Sequence, residues 1–406
     1  MGTYKDPVTG APFEYGVQSY IKYPGAEEFV NRLNISTFSP PPPPTRPASR
    51  NIDFVTGKAL DNFVAPSNFT AALTAYLKQC ERYENITLPG YWNFPTKDKI
   101  PSDLLLDFGD FVKKYNLEAI VPQISSITSN GLGDITTKPT LFVMQSFPAP
   151  MARAFLGGPS TFVPTSRNNT EIYARIGSIL SGDVLYSTVA IRAERSANGV
   201  ELLVRGKNGT TIVRAKRLLV AFEPVPDSME SLELDAKEWD VHTKWRYSNV
   251  FAGIVKHPSL PFNTTLVNLP TAAAPNNYLE RPQTPFLWRF DYMGTPGWRI
   301  LATGDESLTR DGLVDLVKEN VNTLVKQGVL PTSNSSAKVD FVELADHGAM
   351  HLRVTSKDLR DGFIQALYAL QGYRSTWYTG SAWTAQYSSI VWAFTDTLLP
   401  RLVQGL

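Results

Sequence analysis

The 406-residue chain has one cysteine, Cys80, which excludes an intrachain disulfide and a cysteine-built zinc site. It also lacks an excess of either charge: 39 basic against 38 acidic residues leave a formal +1. A nearly neutral surface has no broad field to hold a polyanion, so nucleic-acid binding is not expected. No apolar run approaches the length that crosses a bilayer, and the last helical stretch is interrupted by Asp396, Pro400 and Arg401. Catalytic signatures are equally scarce. There is no G-x-S-x-G elbow, no Walker sequence, no H-E-x-x-H and no complete G-x-G-x-x-G.

What remains is an ordinary globular composition, 43% hydrophobic and 19% charged, long enough for two cores. Seven Asn-x-Ser/Thr sequons, at Asn34, Asn68, Asn85, Asn168, Asn208, Asn263 and Asn334, favour passage through the secretory pathway. The opening "MGTYKDPVTG" carries no apolar signal core, which leaves a cytoplasmic location open. "SPPPPPTRP", residues 39–47, reads as a stiff polyproline loop.

The coarse pattern is α/β. "FEYGVQSYIKYP" reads as a strand or ribbon, followed by a helix near 25–33. "SNFTAALTAYLKQCERYE" and "PSDLLLDFGDFVKKYN" each predict one helix, the first packing Cys80 inward, and "NNTEIYARIGSIL" predicts another. Residues 183–224 predict three alternating strands turned at "SANG" and "GKNG" and closing on a buried "LLVAF" strand. "NVFAGIVKHP", "TPFLWRFDYM", "WRILATG" and "KVDFVELADH" predict further strands, "TRDGLVDLVKENVNTLVKQGVL" a helix capped by Thr309, and "TSKDLRDGFIQALYALQGY" a helix. His347 and His351 are four apart and would share a helix face, yet nothing accompanies them that makes a metal site, and none is expected. His242 and His257 read as surface or strand-end residues.

The stretch "YTGSAWTAQYSSIVWAF", Tyr378 to Phe394, opens a helix from a glycine turn. Such a start leaves N–H groups unpaired at the positive end of the helix dipole, suited either to an electron-rich ligand or simply to a packing helix. With "TYKDPVTGAPFEYGVQSY", "FVPTSRNNTEIYARIG", "DVLYSTVAIRAERSANGV", "AKRLLVAFEP", "DHGAMHLRV" and "ALQGYRSTWYTGSAWTAQYSSIVWAF" in order, the chain resembles the flavin-dependent amine oxidoreductase superfamily nearly end to end. Within it, the resemblance is greatest to beta-cyclopiazonate dehydrogenase-like flavin oxidoreductases.

That resemblance implies a Rossmann-like FAD-binding domain interleaved with an α+β substrate domain. Residues 1–25, 155–235 and 355–406 would form the first, and 26–154 with 236–354 the second. It implies non-covalent FAD, cradled by Gly380, Ser381, Ala382, Ser388, Ser389 and Ile390 at the closing helix. Gly16, Val17, Gln18 and Ser19 would lie near the flavin ring and phosphates, Val189 by the adenine and Ala221 along the dinucleotide. Trp377, Tyr378, Trp383 and Tyr387 are the aromatic candidates for the substrate face, with core packing the alternative for each, and His347 is the acid/base candidate. The lysine that amine oxidases place near the flavin falls on Asn249 or Val250, and the second member of their aromatic cage on Ile390. Amine oxidation is therefore not implied, whereas hydride removal from a small, largely apolar metabolite, by dehydrogenation or oxidative cyclisation with oxygen as acceptor, is. Family members begin with a βαβ unit carrying G-x-G-x-x-G, so the chain reads as N-terminally truncated, a loss that would weaken FAD and remove any signal peptide. The competing readings are a flavin-free, non-catalytic binding protein and a secreted glycoprotein.

Overall fold

The computed structural model describes residues 2–41, 47–294, 297–332 and 337–406. The polyproline loop lies largely, and Asn334 wholly, outside the described residues. Strands and helices alternate irregularly, and the largest sheet has seven strands. Their order is Asp340–Arg353, Arg246–Lys256, Trp298–Gly304, Phe286–Tyr292, Thr264–Asn268, Ala48–Asp53 and Lys58–Ala59. All neighbours are antiparallel except Thr264–Asn268 with Ala48–Asp53.

The two faces of this sheet are set by side-chain alternation. One carries Leu287, Phe290, Ile300 and Ala302 against Leu313, Val317, Val321 and Leu324 of the helix Arg310–Lys326, whose Thr309 cap accepts from the Gly312 amide. Leu301 belongs to the opposite face, with Phe286 and Trp288. A bulge between Leu287 and Arg289 shifts the register, so Arg289 and Asp291 join Leu301 and Arg299 on that second face.

The helix Val121–Leu132 packs on the second face, and the other helices build on it. Phe69–Thr87 buries Ala72, Leu73, Tyr76, Cys80, Tyr83 and Thr87, a three-to-four spacing that keeps one stripe inward. Burial in that stripe pushes the Cys80 thiol up to about 12, so it stays protonated. Two stretches read as single helices are each divided. "PSDLLLDFGDFVKKYN" forms a 3-10 turn, Ser102–Leu105, then a helix, Phe108–Tyr115, because Leu106 is extended and Asp107 caps the new start. "TSKDLRDGFIQALYALQGY" divides into Ser356–Arg360 and Phe363–Tyr368 at Gly362, whose φ of 94° suits glycine. The segment holding His347 and His351 is a strand, so the two do not share a helix face. No metal-binding cluster occurs among the described residues, and no helix there is long and apolar enough to cross a membrane.

The meander forms as the turn signals predict: Val189–Ser196, Gly199–Gly206 and Gly209–Ala215 pair in sequence order. "LLVAF" does not close it. Leu218–Val220 pairs instead in parallel with Thr376–Tyr378, joining segments far apart in the chain. A buried ion pair holds this junction. Arg195 of the meander meets Glu238 of the helix Ala236–His242 at 2.6 Å, and both side chains are wholly enclosed. Arg195 also donates to the Leu232 carbonyl and to Thr376 Oγ1, while Arg374 and Tyr378 Oη donate to Glu238. Burial, the largest single effect, opposes ionisation of Glu238, but the hydrogen bonds and charge of Arg195, the Asp235 amide and Arg374 together outweigh it and hold the carboxyl below its ordinary value. His242, at the end of the same helix, is buried rather than on the surface, and burial pushes its pKa down to about 4. His257 follows the strand Arg246–Lys256 and is also buried.

Removing one partner of an enclosed pair strands the other charge, at a cost of about 3–5 kcal/mol. Arg195→Met is expected to lower the urea-unfolding free energy by that order, with Arg374 retaining part of the interaction. Adding Glu238→Gln is expected to restore more than half, and an unchanged midpoint in the single variant would show that the pair is not structural.

Candidate active site

The opening segment, the closing helix and the second face of the large sheet meet around a cavity of about 440 Å³. Gly16 to Ile21 form one wall and Gln386, Tyr387 and Ser388 another. Arg289, Arg299, Leu301, Met350 and His351 come from the sheet, and Ser126, Ile127, Ser146, Met151 and Phe155 from the helices. No carboxylate lines it. A larger cavity, about 590 Å³, sits at the outer end of the sheet between Lys256, His257, Phe262 and Trp298, but it draws on neither the opening nor the closing segment.

Asn169 fixes the opening segment. Its Nδ2 donates to the Val17 carbonyl at 2.7 Å, and its backbone N–H donates to Glu14 Oε1 at 2.7 Å. Glu14 also accepts from Thr3 Oγ1 at 2.9 Å. Gly16 lies close to His347: a Cβ there would stand 3.8 Å from the imidazole Cε1.

On the closing side, Thr379 N–H donates to the Val220 carbonyl, so the parallel pair leads directly into the Gly380 turn. Gly380 has φ 117° and ψ −178°, a conformation open in practice only to glycine. Ser381 Oγ donates to Glu223 Oε1 in a short hydrogen bond, while Glu223 Oε2 is buried without a partner among the described residues. Burial pushes the Glu223 carboxyl up to about 7. Tyr387 caps the helix Ser388–Val403 and its carbonyl accepts from the amides of Ile390 and Val391. The Ser388 and Ser389 amides therefore begin the helix without an intrahelical acceptor. Ser389 Oγ and Gln386 Oε1 are buried without a partner among the described residues.

These features fit a flavin. Glycine-only backbone, free helix-start amides and an unpaired carboxylate oxygen make a donor and acceptor set for a ribityl chain and a ring edge that gains negative charge on reduction.

The structure brings Gly16, Val17, Gln18, Ser19, Tyr387 and Ser388 into one cavity. Ser381 and Ala382 line a small adjoining pocket with His351 and Gln386. Ser389 and Ile390 are buried just behind the helix start. Tyr378 and Trp383 stack on one another in the core, ring centroids 5.0 Å apart, and Trp377 packs half-buried over Gly372. Val189 is 54% exposed and Ala221 is exposed, both outside the cavity. His347 is exposed on its strand and outside the cavity lining. Asn249 donates to the Glu306 and Leu308 carbonyls, and Val250 is buried.

Sequence reasoning passed over His351 and the two arginines. His351 Nδ1 lies 3.0 Å from Ser146 Oγ, and Tyr387 Oη donates to the Ser146 carbonyl at 2.6 Å. Burial pushes His351 down to about 3, so the ring is neutral. Its backbone is left-handed, φ 53°, where register slips between two sheet strands. Gly131 makes room for the ring, since a Cβ there would stand 1.8 Å from His351 Cδ2. The i, i+4 histidine spacing marked this residue, but the helical period hid its surroundings.

No family model matches the chain. It is similar to beta-cyclopiazonate dehydrogenase of Aspergillus flavus, 29% identical over 97% of this chain and 83% of that protein. With the FAD-dependent oxidoreductase pigF of Monascus ruber it is 32% identical over 100% of this chain and 84% of the relative. Among solved structures, the fatty acid isomerase from P. acnes that produces CLA superposes with a TM-score of 0.73 at 16% identity, covering 98% of this chain and 89% of its own. Cyclohexylamine oxidase from Brevibacterium oxydans gives 0.58 at 13%, covering 99% and 90%. The fold is thus the mixed α/β architecture shared by these enzymes. By its likeness to the Monascus protein over its whole length, the chain belongs to the family of FAD-dependent oxidoreductases.

Proposed function

We propose that the cavity between the opening segment and the closing helix holds the flavin of a non-covalently bound FAD together with a small, largely apolar substrate, from which hydride is removed with dioxygen as final acceptor. The observation that carries this reading is the junction of Gly16–Ser19 with Gln386–Ser388 at a single cavity, beside a glycine-only turn and an unpaired buried carboxylate oxygen. Cys80 is buried in a helix stripe and protonated, which supports non-covalent attachment. In the two-domain reading, residues 1–25, 155–235 and 355–406 hold the cofactor and the rest covers the substrate. Val189 and Ala221 would then meet the adenosine half.

FAD supplies a two-electron acceptor that takes hydride from a carbon. The chain's own residues do the rest. The Ser388 and Ser389 amides and the helix dipole would favour negative charge on a flavin ring held at that helix start. Glu223 Oε2 would be free to accept from a hydroxyl of the cofactor, with Ser381 holding the other carboxyl oxygen. Ile127, Met151, Phe155, Leu301 and Met350 exclude water and pack the substrate's apolar body. Neutral His351, held by Ser146, is a positioning group rather than a strong acid; His347, next to Gly16 and held below its ordinary value by desolvation, remains the candidate for accepting a proton.

Titrating FAD into the protein is expected to resolve and shift the flavin's visible bands and to quench its fluorescence. Gly380→Glu places a side chain on glycine-only backbone and a negative charge at the turn, and is expected to weaken that response about tenfold or more. A flavin spectrum unchanged throughout the titration would sink the assignment.

Glu223 gives a pH signature. Its carboxyl is raised from 4.5 to about 7 in the folded protein, so the neutral acid is favoured there and stability is lost as pH rises between those values. Glu223→Gln in the flavin-free protein is expected to be more stable than the parent at pH 8 by about 1–3 kcal/mol and equal to it at pH 4.5. Denaturation curves showing the same difference at both pH values would contradict an unpaired buried carboxylate.

A further inference from the structure

Resting on the reading of the cavity as the substrate site, we infer that the substrate enters as a carboxylate anion, bound by Arg289 and Arg299. Both arginines line the cavity from adjacent strands of the large sheet, Arg289 turned onto the second face by the bulge after Leu287 and Arg299 placed there by alternation with Leu301. Arg299 is 4% exposed. Its Nη2 meets Asp291 Oδ2 at 2.6 Å, and Arg289 Nη2 reaches the same oxygen at 3.4 Å. Two guanidinium groups therefore share a single carboxylate, and the cavity lining adds no acidic side chain. His351 contributes no charge, being neutral. The enclosure holds one positive charge more than it neutralises.

The hydrogen bonding has the same surplus. The Nε–H groups of both Arg289 and Arg299 are buried without an acceptor among the described residues. Burial lowers the pKa of Arg289, the Asp291 charge opposes that, and the neighbouring Arg299 charge lowers it further. Buried donors of this kind stay costly until an acceptor arrives, and planar guanidinium forks match a carboxylate in shape as well as charge. Around them the walls are apolar, formed by Ile127, Met151, Phe155, Leu301 and Met350. An organic acid with an apolar body satisfies both halves of the cavity. A neutral amide of equal size satisfies the walls and offers one acceptor oxygen, but brings neither the second oxygen nor the charge.

The probes are 4-phenylbutyrate and 4-phenylbutyramide, which differ in charge but hardly in shape. Calorimetric titration of the purified protein, with flavin content read separately from its absorbance, is expected to show the acid binding about tenfold or more tighter than the amide. Arg299→Met is expected to abolish that preference while leaving amide affinity and flavin content unchanged. Asp291→Asn removes the internal competitor and is expected to tighten the acid alone; this arm does not depend on truncating a buried arginine. Equal affinity for acid and amide in the parent would overturn the inference. So would an Arg299→Met protein that loses flavin yet keeps its preference for the acid, since the arginine would then serve the cofactor. Because the calorimetric preference is measured with or without flavin, its failure is separate from failure of the FAD assignment.

Discussion

The enclosed pairing of Arg195 with Glu238 ties together parts of the chain that no local signal would join. One side belongs to a hairpin meander and the other to a short helix, and Thr376, Arg374 and Tyr378 from near the end complete the cluster. The parallel strands Leu218–Val220 and Thr376–Tyr378 run beside it, and the second leads into Gly380. A charge cluster so deeply enclosed tolerates few alternative geometries, because each charge must keep its partner. The orientation of the glycine turn is in this sense inherited from an ion pair.

Local structure was legible wherever a period or a turn stated it. The stripe of Phe69–Thr87, the Thr309 cap and the "SANG" and "GKNG" turns appear as their patterns require. Errors came where backbone chemistry interrupts a convincing period. Gly362 and the extended Leu106 break apolar runs that otherwise read as continuous helix. "DHGAMH" is strand because Asp340–Arg353 is an edge strand pairing with Arg246–Lys256, a tertiary fact absent from its own composition. The same holds for "LLVAF", whose partner lies more than 150 residues downstream.

Only part of the candidate site stood out in the sequence. Gly16–Ser19 and the closing helix were found through family likeness, and the structure places them at one cavity. The arginines were missed because a charged residue within "TPFLWRFDYM" or "WRILATG" reads as the solvent side of an alternating strand. For Arg289 a one-residue bulge is enough to turn that side inward, and Arg299 follows because it shares the face of Leu301 on the neighbouring strand. His351 escaped for a related reason. Its left-handed backbone sits where register slips, and the clearance that accommodates the ring comes from Gly131, distant in sequence. Strain of that type persists only where surrounding contacts over-determine it, and here Ser146 and Gly131 do so.

The parallel pairing of Leu218–Val220 with Thr376–Tyr378 also sets an order of events during synthesis. The meander and the large sheet can assemble from segments that leave the ribosome early, since their strands end by Arg353. The strand Thr376–Tyr378 and the wall formed by Gln386, Tyr387 and Ser388 emerge only afterwards, and that strand must find a partner made more than 150 residues earlier. Until then Leu218–Val220 presents an unpaired edge, the kind of surface that chaperones recognise. The nascent protein is thus most vulnerable just before its cavity closes, and the strand Thr376–Tyr378 both covers that edge and leads into the segment that lines the cavity.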